Sequence, residues 1–252
     1  MEAKDWKEFA TITISTNDLD PTYQMLYHAR TEYGDDWVAR FCLHMLMFYH
    51  IGEAADAAFI EGDKFWEHVQ DNYETCKRGT ERRHFRGEAG RRSISSLIQA
   101  SGNAPQGLLA RFHSPLYPTL YRNISSALEG FGAYFIWKWA DYLDSVFLMP
   151  IDYNGALPYM PDQPIKCAKK LWPNQSVEAT LSMVVDYISQ MDAPPSHTRK
   201  CDIPEAETIL CMLKGYFITH SHKIGDDIDD KHKALGDDPY NLARFLPPRI
   251  VC

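Results

Sequence analysis

Apolar side chains recur at three- and four-residue spacing along much of the chain, which is typical of amphipathic helices. The clearest case runs from residue 37 to about residue 60, where Val38, Phe41, Met45 and Phe48 share one face. The same spacing predicts further helices near residues 21–30, 65–73, 93–100, 176–191 and 204–217. A short strand or extended arm is expected at residues 11–15, and sustained two-residue alternation occurs nowhere else. The predicted fold class is all-α.

Glycine and proline residues divide these helices. Pro21 suits the first turn of a helix, and the Gly34-Asp35-Asp36 sequence predicts a stop followed by a new start. A proline-rich connection follows residue 150. The pattern predicts three parts: an N-terminal arm at residues 1–19, a helical domain at 20–236 and a C-terminal tail at 237–252.

The stretch at residues 124–152 has the most distinctive pattern. It predicts a short helix, a tight turn containing Gly130 and Gly132, a longer helix, and then Asp152. Two glycines one residue apart allow positive φ and leave amides uncovered at a helix start, where a phosphate can approach. Such a turn suits a nucleic-acid backbone.

This stretch resembles the helix-hairpin-helix of the DNA glycosylase superfamily, whose pattern is roughly Leu-x-Gly-x-Gly, an Ala-rich helix and a catalytic Asp about two dozen residues on; here Ala140 falls inside the helix. The resemblance implies two helical lobes around a cleft, DNA contacts at Gly130, Gly132 and Tyr134, and a catalytic role for Asp152. Tyr134 stands where bifunctional members carry a lysine nucleophile, which puts Schiff-base lyase chemistry in doubt. The alternative for Asp152 is a cap or turn residue after Pro150.

A basic segment at residues 77–92 stands out in an acidic chain. The formal net charge is −8, yet this segment holds seven of the 26 Lys and Arg residues. Arginine grips phosphate oxygens in a bidentate manner, so a closely spaced group indicates a local anion site. The candidate residues are Arg82, Arg83, His84 and Arg86. A solvated basic loop, or a surface paired with the acidic residues near the C-terminus, is the alternative.

Three further candidates are weaker. His50 and Glu53 are one helical turn apart and could form a tuned general base, although a structural pair at a helix surface is the more common arrangement. Lys214 is a lone cation on an apolar helix, either a site residue or a surface residue with a buried stem. Trp137, with Trp139 and Tyr134, could line a pocket or fill the core.

Metal and cofactor chemistry has little support. His220 and His222 precede Asp226 and Asp227, but the spacing matches no common metal motif. The six cysteines form no Cys-x-x-Cys pair, which favours reduced thiols in a cytoplasmic protein. No apolar run is long enough to cross a membrane. We therefore expect no metal, no cofactor and no membrane partner.

A second resemblance is to a narrower group of proteins that share the glycosylase fold. Residues 45–55, 65–66, 81–87, 209–215 and 224–228 look like the phage amino acid:DNA transferases, also described as α-glutamyl/putrescinyl thymine pyrophosphorylases, and the likeness covers most of residues 20–236. It implies a monomeric enzyme of the host cytoplasm that modifies double-stranded phage DNA. The implied substrate is thymine whose 5-methyl group has been hydroxylated and pyrophosphorylated. A free amino acid or polyamine then displaces pyrophosphate, without metal or cofactor.

The residues can be assigned to that chemistry. The arginines at 82–86, with Lys214, would bind the leaving pyrophosphate. Asp152 would stabilise the cationic carbon or accept the proton of the incoming ammonium. The base would be flipped from the duplex while the hairpin holds flanking phosphates. Two alternatives stay open: a monofunctional helix-hairpin-helix DNA glycosylase and a non-catalytic DNA-binding module.

Overall fold

A computed structural model describes residues 2–62, 64–79, 85–102 and 104–250. In these ranges the chain forms α-helices, and the extended pairing is limited to two isolated bridges. The predicted all-α class is confirmed. The helices are α1 (Trp6–Ser15), α2 (Pro21–Phe48), α3 (Ile51–Ala58), α4 (Lys64–Asp71), α5 (Gly87–Ser101), α6 (Gly107–Arg111), α7 (Tyr117–Ala127), α8 (Ala133–Asp141), α9 (Asp162–Leu171), α10 (Val177–Ile188), α11 (Ile203–Leu213) and α12 (Asp226–Ala234).

The N-terminal segment is a packed helix, so the strand or extended arm expected at residues 11–15 is wrong. Asp5 caps α1 by accepting hydrogen bonds from the amides of Lys7 and Glu8. Phe9 and Ile14 are buried, and the Phe9 ring lies 4.8 Å from that of Tyr216. The buried positions of α1 fit helical spacing, and this pattern outweighs the β-branched residues of the segment.

Helix α2 bends where its sequence predicts a break. Gly34 has φ 79 and ψ 171 inside the helix, which is a conformation that glycine adopts without strain. The helix ends at Phe48, Tyr49 takes a left-handed conformation, and His50 starts α3. The single helix predicted at residues 37–60 is therefore two helices. Nearly all of α2 beyond Gly34 is buried in the core.

The predicted helical hairpin is formed by α7 and α8. Gly130 has φ +77 in its turn, and a Cβ there would lie 2.2 Å from the hydroxyl of Ser93 on α5. Arg92 forms a 2.8 Å ion pair with Glu129, whose amide donates to Ser96 at 3.2 Å. Helix α5, which carries the end of the basic segment, therefore packs directly against the hairpin turn.

The described residues also form two short π-helical turns and two 3₁₀ turns. The π turns continue α8 at Tyr142–Val146 and α11 at Lys214–Thr219, and the 3₁₀ turns are Leu157–Tyr159 and Leu242–Phe245. Near the C-terminus, Leu242 is fully buried and Tyr240 stacks on Phe59 at 4.0 Å. Among the described residues, no helix combines the length and apolar character needed to span a bilayer.

Candidate active site

A cavity of about 580 Å³ lies where the start of α2 meets α8, α9, α11 and α12. Its wall contains apolar and aromatic side chains together with four carboxyl groups and two ammonium groups. These charged residues are Asp20, Lys138, Asp162, Glu207, Asp227 and Lys231. A mostly apolar cavity with a few convergent charged groups is the usual form of a small-molecule site.

The cavity begins directly behind the hairpin turn. Tyr134 lies in the first turn of α8 and lines the cavity, and Lys138 follows one turn later. The Tyr134 ring lies 6.1 Å from that of Tyr49, and the ammonium of Lys231 lies 4.9 Å from the Tyr49 ring. A group entering past the hairpin would therefore meet Tyr134, Tyr49 and Lys231.

A buried ionic network closes the inner end. The Lys138 ammonium donates to Asp20 at 3.2 Å and to the Tyr23 hydroxyl at 3.0 Å, and it lies 3.6 Å from Asp141. Asp141 also accepts hydrogen bonds from Tyr23 and Tyr153. Burial opposes the charge of Lys138, but Asp20 and Asp141 outweigh that effect and raise its pKa well above the usual value. Burial raises the pKa of Asp141 to about 7.

Glu207 lies near this inner end. It is 6% exposed, and its Oε2 accepts a long 3.4 Å hydrogen bond from the Thr208 hydroxyl. Within the described residues no hydrogen bond reaches its other carboxylate oxygen. Burial raises the pKa of Glu207 to about 7, although the charge of Lys138 acts in the opposite direction.

Asp227 is the more open of the two carboxylates. It lies in the first turn of α12, and its side chain is 37% exposed. His222 Nε2 lies 3.6 Å from its Oδ2. Burial in the cavity wall raises the pKa of Asp227 to about 6, against the effects of His222 and Lys231. An aspartate with this pKa is ionised at neutral pH and can accept a proton from an ammonium group.

Asp152 lies outside the cavity wall. It is exposed, and its Oδ1 accepts a 2.8 Å hydrogen bond from the amide of Asn154. Its backbone pairs with the segment before α7, because its amide donates to Pro115 and its carbonyl accepts from Tyr117. These contacts are those of a turn residue, which is the alternative that the sequence left open.

Lys214 and Tyr134 lie close to the cavity, whereas Trp137 does not. The Lys214 ammonium donates at 3.3 Å to the side chain of Gln163, which lines the cavity. Trp137 is fully buried in the core, with its ring 4.9 Å from that of Tyr117. Of these three residues, Tyr134 lines the cavity and Lys214 contacts a residue of its lining.

His50 and Glu53 form a local cap. The Nδ1 of His50 accepts a 3.2 Å hydrogen bond from the Glu53 amide, so His50 begins α3. Burial lowers the pKa of His50. The Glu53 carboxylate accepts a hydrogen bond from the thiol of Cys76 and lies 3.7 Å from Lys77. Both residues line a separate cavity of about 470 Å³.

The basic segment is described only at its ends. Arg82, Arg83 and His84 lie outside the described residues, and Arg86 is exposed at the start of α5. The Phe85 ring lies 5.9 Å from that of Phe131 in the hairpin turn. The end that carries Arg86 is thus next to the hairpin.

Metal ligands do not converge in the described part of the chain, where no group of three or more His, Cys, Asp or Glu side chains is arranged to hold an ion. His222 instead lies beside Asp227.

Sequence patterns missed the charged residues of the cavity. Lys138 interrupts the apolar run of α8, which is a signal in the sequence, whereas Glu207 lies beside Glu205 and Thr208 in α11 and does not stand out. The sequence presents Asp227 only in a pattern that suggests a metal ligand. Nothing local indicates that α8, which is far from α11 and α12 in the chain, meets both of them at one cavity.

The comparisons with known proteins all indicate the same family. A family model described as amino acid:DNA transferase matches residues 8–221. A putrescinyltransferase of Delftia phage PhiW-14 is 31% identical over 264 residues, which cover 98% of this chain and 84% of the relative. A glycinyltransferase of Pseudomonas phage PaMx11 is 25% identical over 265 residues, which cover 91% of this chain and 89% of that relative.

Proposed function

The chain belongs to the amino acid:DNA transferase family, and from this membership we propose that it transfers an amine to DNA from the cavity behind the helical hairpin. The family and the transferase class predicted from sequence are confirmed. The observation that carries the proposed site is the position of two carboxylates of unequal burial, Glu207 and Asp227, in a cavity that begins at the hairpin helix.

The proposed acceptor is a thymine in double-stranded phage DNA whose 5-methyl group carries pyrophosphate. The two relatives are named for different amine-bearing groups, putrescinyl and glycinyl, so an amine is the chemistry that their names share. A free amine can displace pyrophosphate from an exocyclic carbon without a cofactor. We expect the protein to act as a monomer in the host cytoplasm.

Asp227 is the proposed proton acceptor. An ammonium has no lone pair, so it must first lose a proton, which passes to the Asp227 carboxylate. The neutral nitrogen then forms a bond to the exocyclic carbon as the carbon–oxygen bond breaks, and the electron pair leaves with pyrophosphate. The product is a protonated secondary amine, and Asp227 returns its proton to water.

The hairpin side is proposed to hold the DNA. The amides at the start of α8 would contact backbone phosphates, and the base would be flipped past Tyr134 into the cavity. Lys231 and Arg86 are proposed to stabilise the departing pyrophosphate, together with Lys214 at the rim. Cations near a leaving polyphosphate stabilise the charge that develops as the bond breaks.

Asp152 is the competing candidate for the catalytic carboxylate. It follows the hairpin at the position where the glycosylase pattern has its aspartate, and a glycosylase would depend on it. That function would leave the carboxylates of the cavity without a role, whereas amine transfer uses them.

Mass spectrometry of nucleosides tests the proposal. The protein is incubated with a duplex containing 5-pyrophosphoryloxymethyluracil and an amine, and pyrophosphate is measured in parallel. We expect an amine adduct and pyrophosphate in equal amounts. Abasic sites without an adduct would instead indicate a glycosylase, and unmodified DNA with every amine supplied would reject both activities.

A further inference from the structure

We propose that Tyr49 is a positioning residue, whose ring holds the ammonium of Lys231 in the cavity wall so that it binds a phosphate-type anion. This inference rests on the proposed function, in which Lys231 stabilises the departing pyrophosphate. It adds the residue that places this cation. Tyr49 acts through Lys231 and does not itself contact the reacting atoms.

The backbone of Tyr49 is the first observation. Tyr49 caps the end of α2 with φ 54 and ψ 43, a left-handed conformation that costs free energy for a residue with a bulky side chain. Glycine is the usual residue at such a position, because it has no Cβ. The capping hydrogen bond runs from the Tyr49 amide to the carbonyl of Met45 at 2.7 Å and does not require a tyrosine. The helix end therefore does not explain the side chain, which lines the cavity.

The ring of Tyr49 meets a cation from a distant part of the chain. The ammonium of Lys231 on α12 lies over this ring, 4.9 Å from its centroid, which is within the range of a cation–π interaction. The Tyr134 ring is on the hairpin side, 6.1 Å from the ring of Tyr49. All three side chains line the same cavity.

Lys231 keeps its charge available to a ligand. An aromatic ring attracts a cation without neutralising it, whereas a carboxylate in an ion pair does neutralise it. In the part of the chain that the structure describes, Lys231 forms no ion pair, although its charge affects Asp227 one turn away on α12. The other lysine of the cavity, Lys138, is held by Asp20 and Asp141. Lys231 is therefore the better placed of the two to bind an incoming anion.

The packing of α12 fixes the main chain around Lys231. Asp18 is fully buried and accepts hydrogen bonds of 2.7 and 3.3 Å from two amides at the start of this helix. At the other end, a Cβ on Gly52 would lie 2.6 Å from the carbonyl oxygen of Ala234, so α3 and α12 are in direct contact. The main chain of Lys231 lies between these two contacts, and its flexible side chain is directed by the Tyr49 ring.

Two anions could use this cation in the proposed reaction: the pyrophosphate on the flipped base and the carboxylate of an amino acid donor. Lys231 lies near Tyr134, past which the base would enter, and pyrophosphate carries the larger charge. These two arguments favour pyrophosphate, and the binding of each anion can be measured separately.

Isothermal titration calorimetry of the full chain with inorganic pyrophosphate, and separately with glycine, tests the inference. Tyr49→Leu keeps an apolar side chain but removes the aromatic ring, and we expect it to weaken pyrophosphate binding by about fivefold or more. Tyr49→Phe keeps the ring and should bind within about twofold of the natural sequence. Lys231→Met should weaken binding at least as much as Tyr49→Leu. In that background Tyr49→Leu should have no further effect, because the cation it positions is gone.

Tyr187→Leu is the matched control. The ammonium of Lys7 lies 5.3 Å from the Tyr187 ring, but this tyrosine is not in the cavity wall, so the same change should leave pyrophosphate binding as it is. Urea unfolding checks that each variant folds. In Tyr49→Leu, kcat for transfer should also fall by about fivefold, since Lys231 stabilises the charge that develops on the leaving group.

The outcomes separate this inference from the proposed function. If Tyr49→Leu weakens pyrophosphate binding equally with and without Lys231, or if Tyr49→Phe is as damaging as Tyr49→Leu, the positioning role is wrong. If glycine binding depends on Tyr49 and pyrophosphate binding does not, the choice of anion is wrong. Transfer without measurable pyrophosphate binding overturns this inference alone. Pyrophosphate binding that responds to the variants as expected, without any transfer, overturns the proposed function and leaves the anion site.

Discussion

Two regions of the molecule present a carboxylate near the helical hairpin, and they differ in their surroundings. Asp152, at the exit of the hairpin, is exposed and accepts a hydrogen bond from its own loop. Asp227 and Glu207 line a cavity in which burial raises their pKa values to about 6 and about 7. Spacing in the sequence can indicate a candidate carboxylate. Burial in the folded chain determines which carboxylate can exchange protons near neutral pH.

The same contrast holds for the lysines. Lys138 is held by Asp20 and Asp141 in the interior, whereas Lys166 pairs with Asp162 at 3.0 Å on the surface. When one partner of a buried ion pair is removed, the remaining charge is uncompensated and the folded state is strongly destabilised. When one partner of an exposed ion pair is removed, water solvates the remaining charge and the loss is small.

The largest expected effect is on stability. Lys138→Met should lower the free energy of unfolding by about 3–5 kcal/mol, because it leaves Asp20 and Asp141 buried without a cation. Lys166→Met should lower it by less than about 1 kcal/mol. Urea denaturation measures both. Equal losses would mean that the inner end of the cavity is as well solvated as the surface.

The next effect is on catalysis. Asp227→Asn should reduce kcat for amine transfer by about 100-fold or more, since general bases contribute at least that much. Asp229→Asn, an exposed position on the same helix, is the control. Asp152→Asn should have a much smaller effect. If Asp152→Asn is the more damaging variant, the catalytic carboxylate lies at the hairpin exit.

A pH effect follows from Glu207, whose pKa rises from 4.5 to about 7 on folding. The folded protein binds the proton more tightly, so this contribution to stability is complete below pH 4.5 and is lost as pH rises through 7. Glu207→Gln should therefore reduce the loss of stability between pH 5 and pH 8 by about 1–3 kcal/mol. Urea denaturation across this range measures the slope. An identical slope in the variant would show that Glu207 is solvated.

The smallest effect concerns the hairpin turn. Gly130→Ala should lower the free energy of unfolding by about 1–2 kcal/mol, because φ is +77 and the new methyl group meets the Ser93 hydroxyl. Gly132→Ala is the control, since no atom lies within 4 Å of its Cβ position. Thermal unfolding compares them. Similar losses would mean that α5 does not constrain the turn.

The fold was predictable where its signals are local. Helical spacing of apolar residues indicates the all-α class, and Gly130 with Gly132 locates the turn between α7 and α8. The break at Gly34 is local as well. At residues 11–15 the β-branched residues misled the prediction, since burial on one helical face outweighs intrinsic preference.

The candidate site was less predictable because its wall is assembled from distant segments. Asp20, Lys138, Glu207 and Asp227 come from four helices or their caps, and no pattern in the sequence states that they meet. Asp152 stood out because it lies in the same motif as Gly130 and Gly132. The depth of burial that distinguishes it from Asp227 exists only in the folded chain.

The position of a bound donor amine tests the central claim most directly. The protein is crystallised with 1,4-diaminobutane, and the electron density of the amine is located. The account predicts density inside the cavity, with a nitrogen of the amine at Asp227. An empty cavity at a saturating amine concentration, or density beside Asp152, would contradict it.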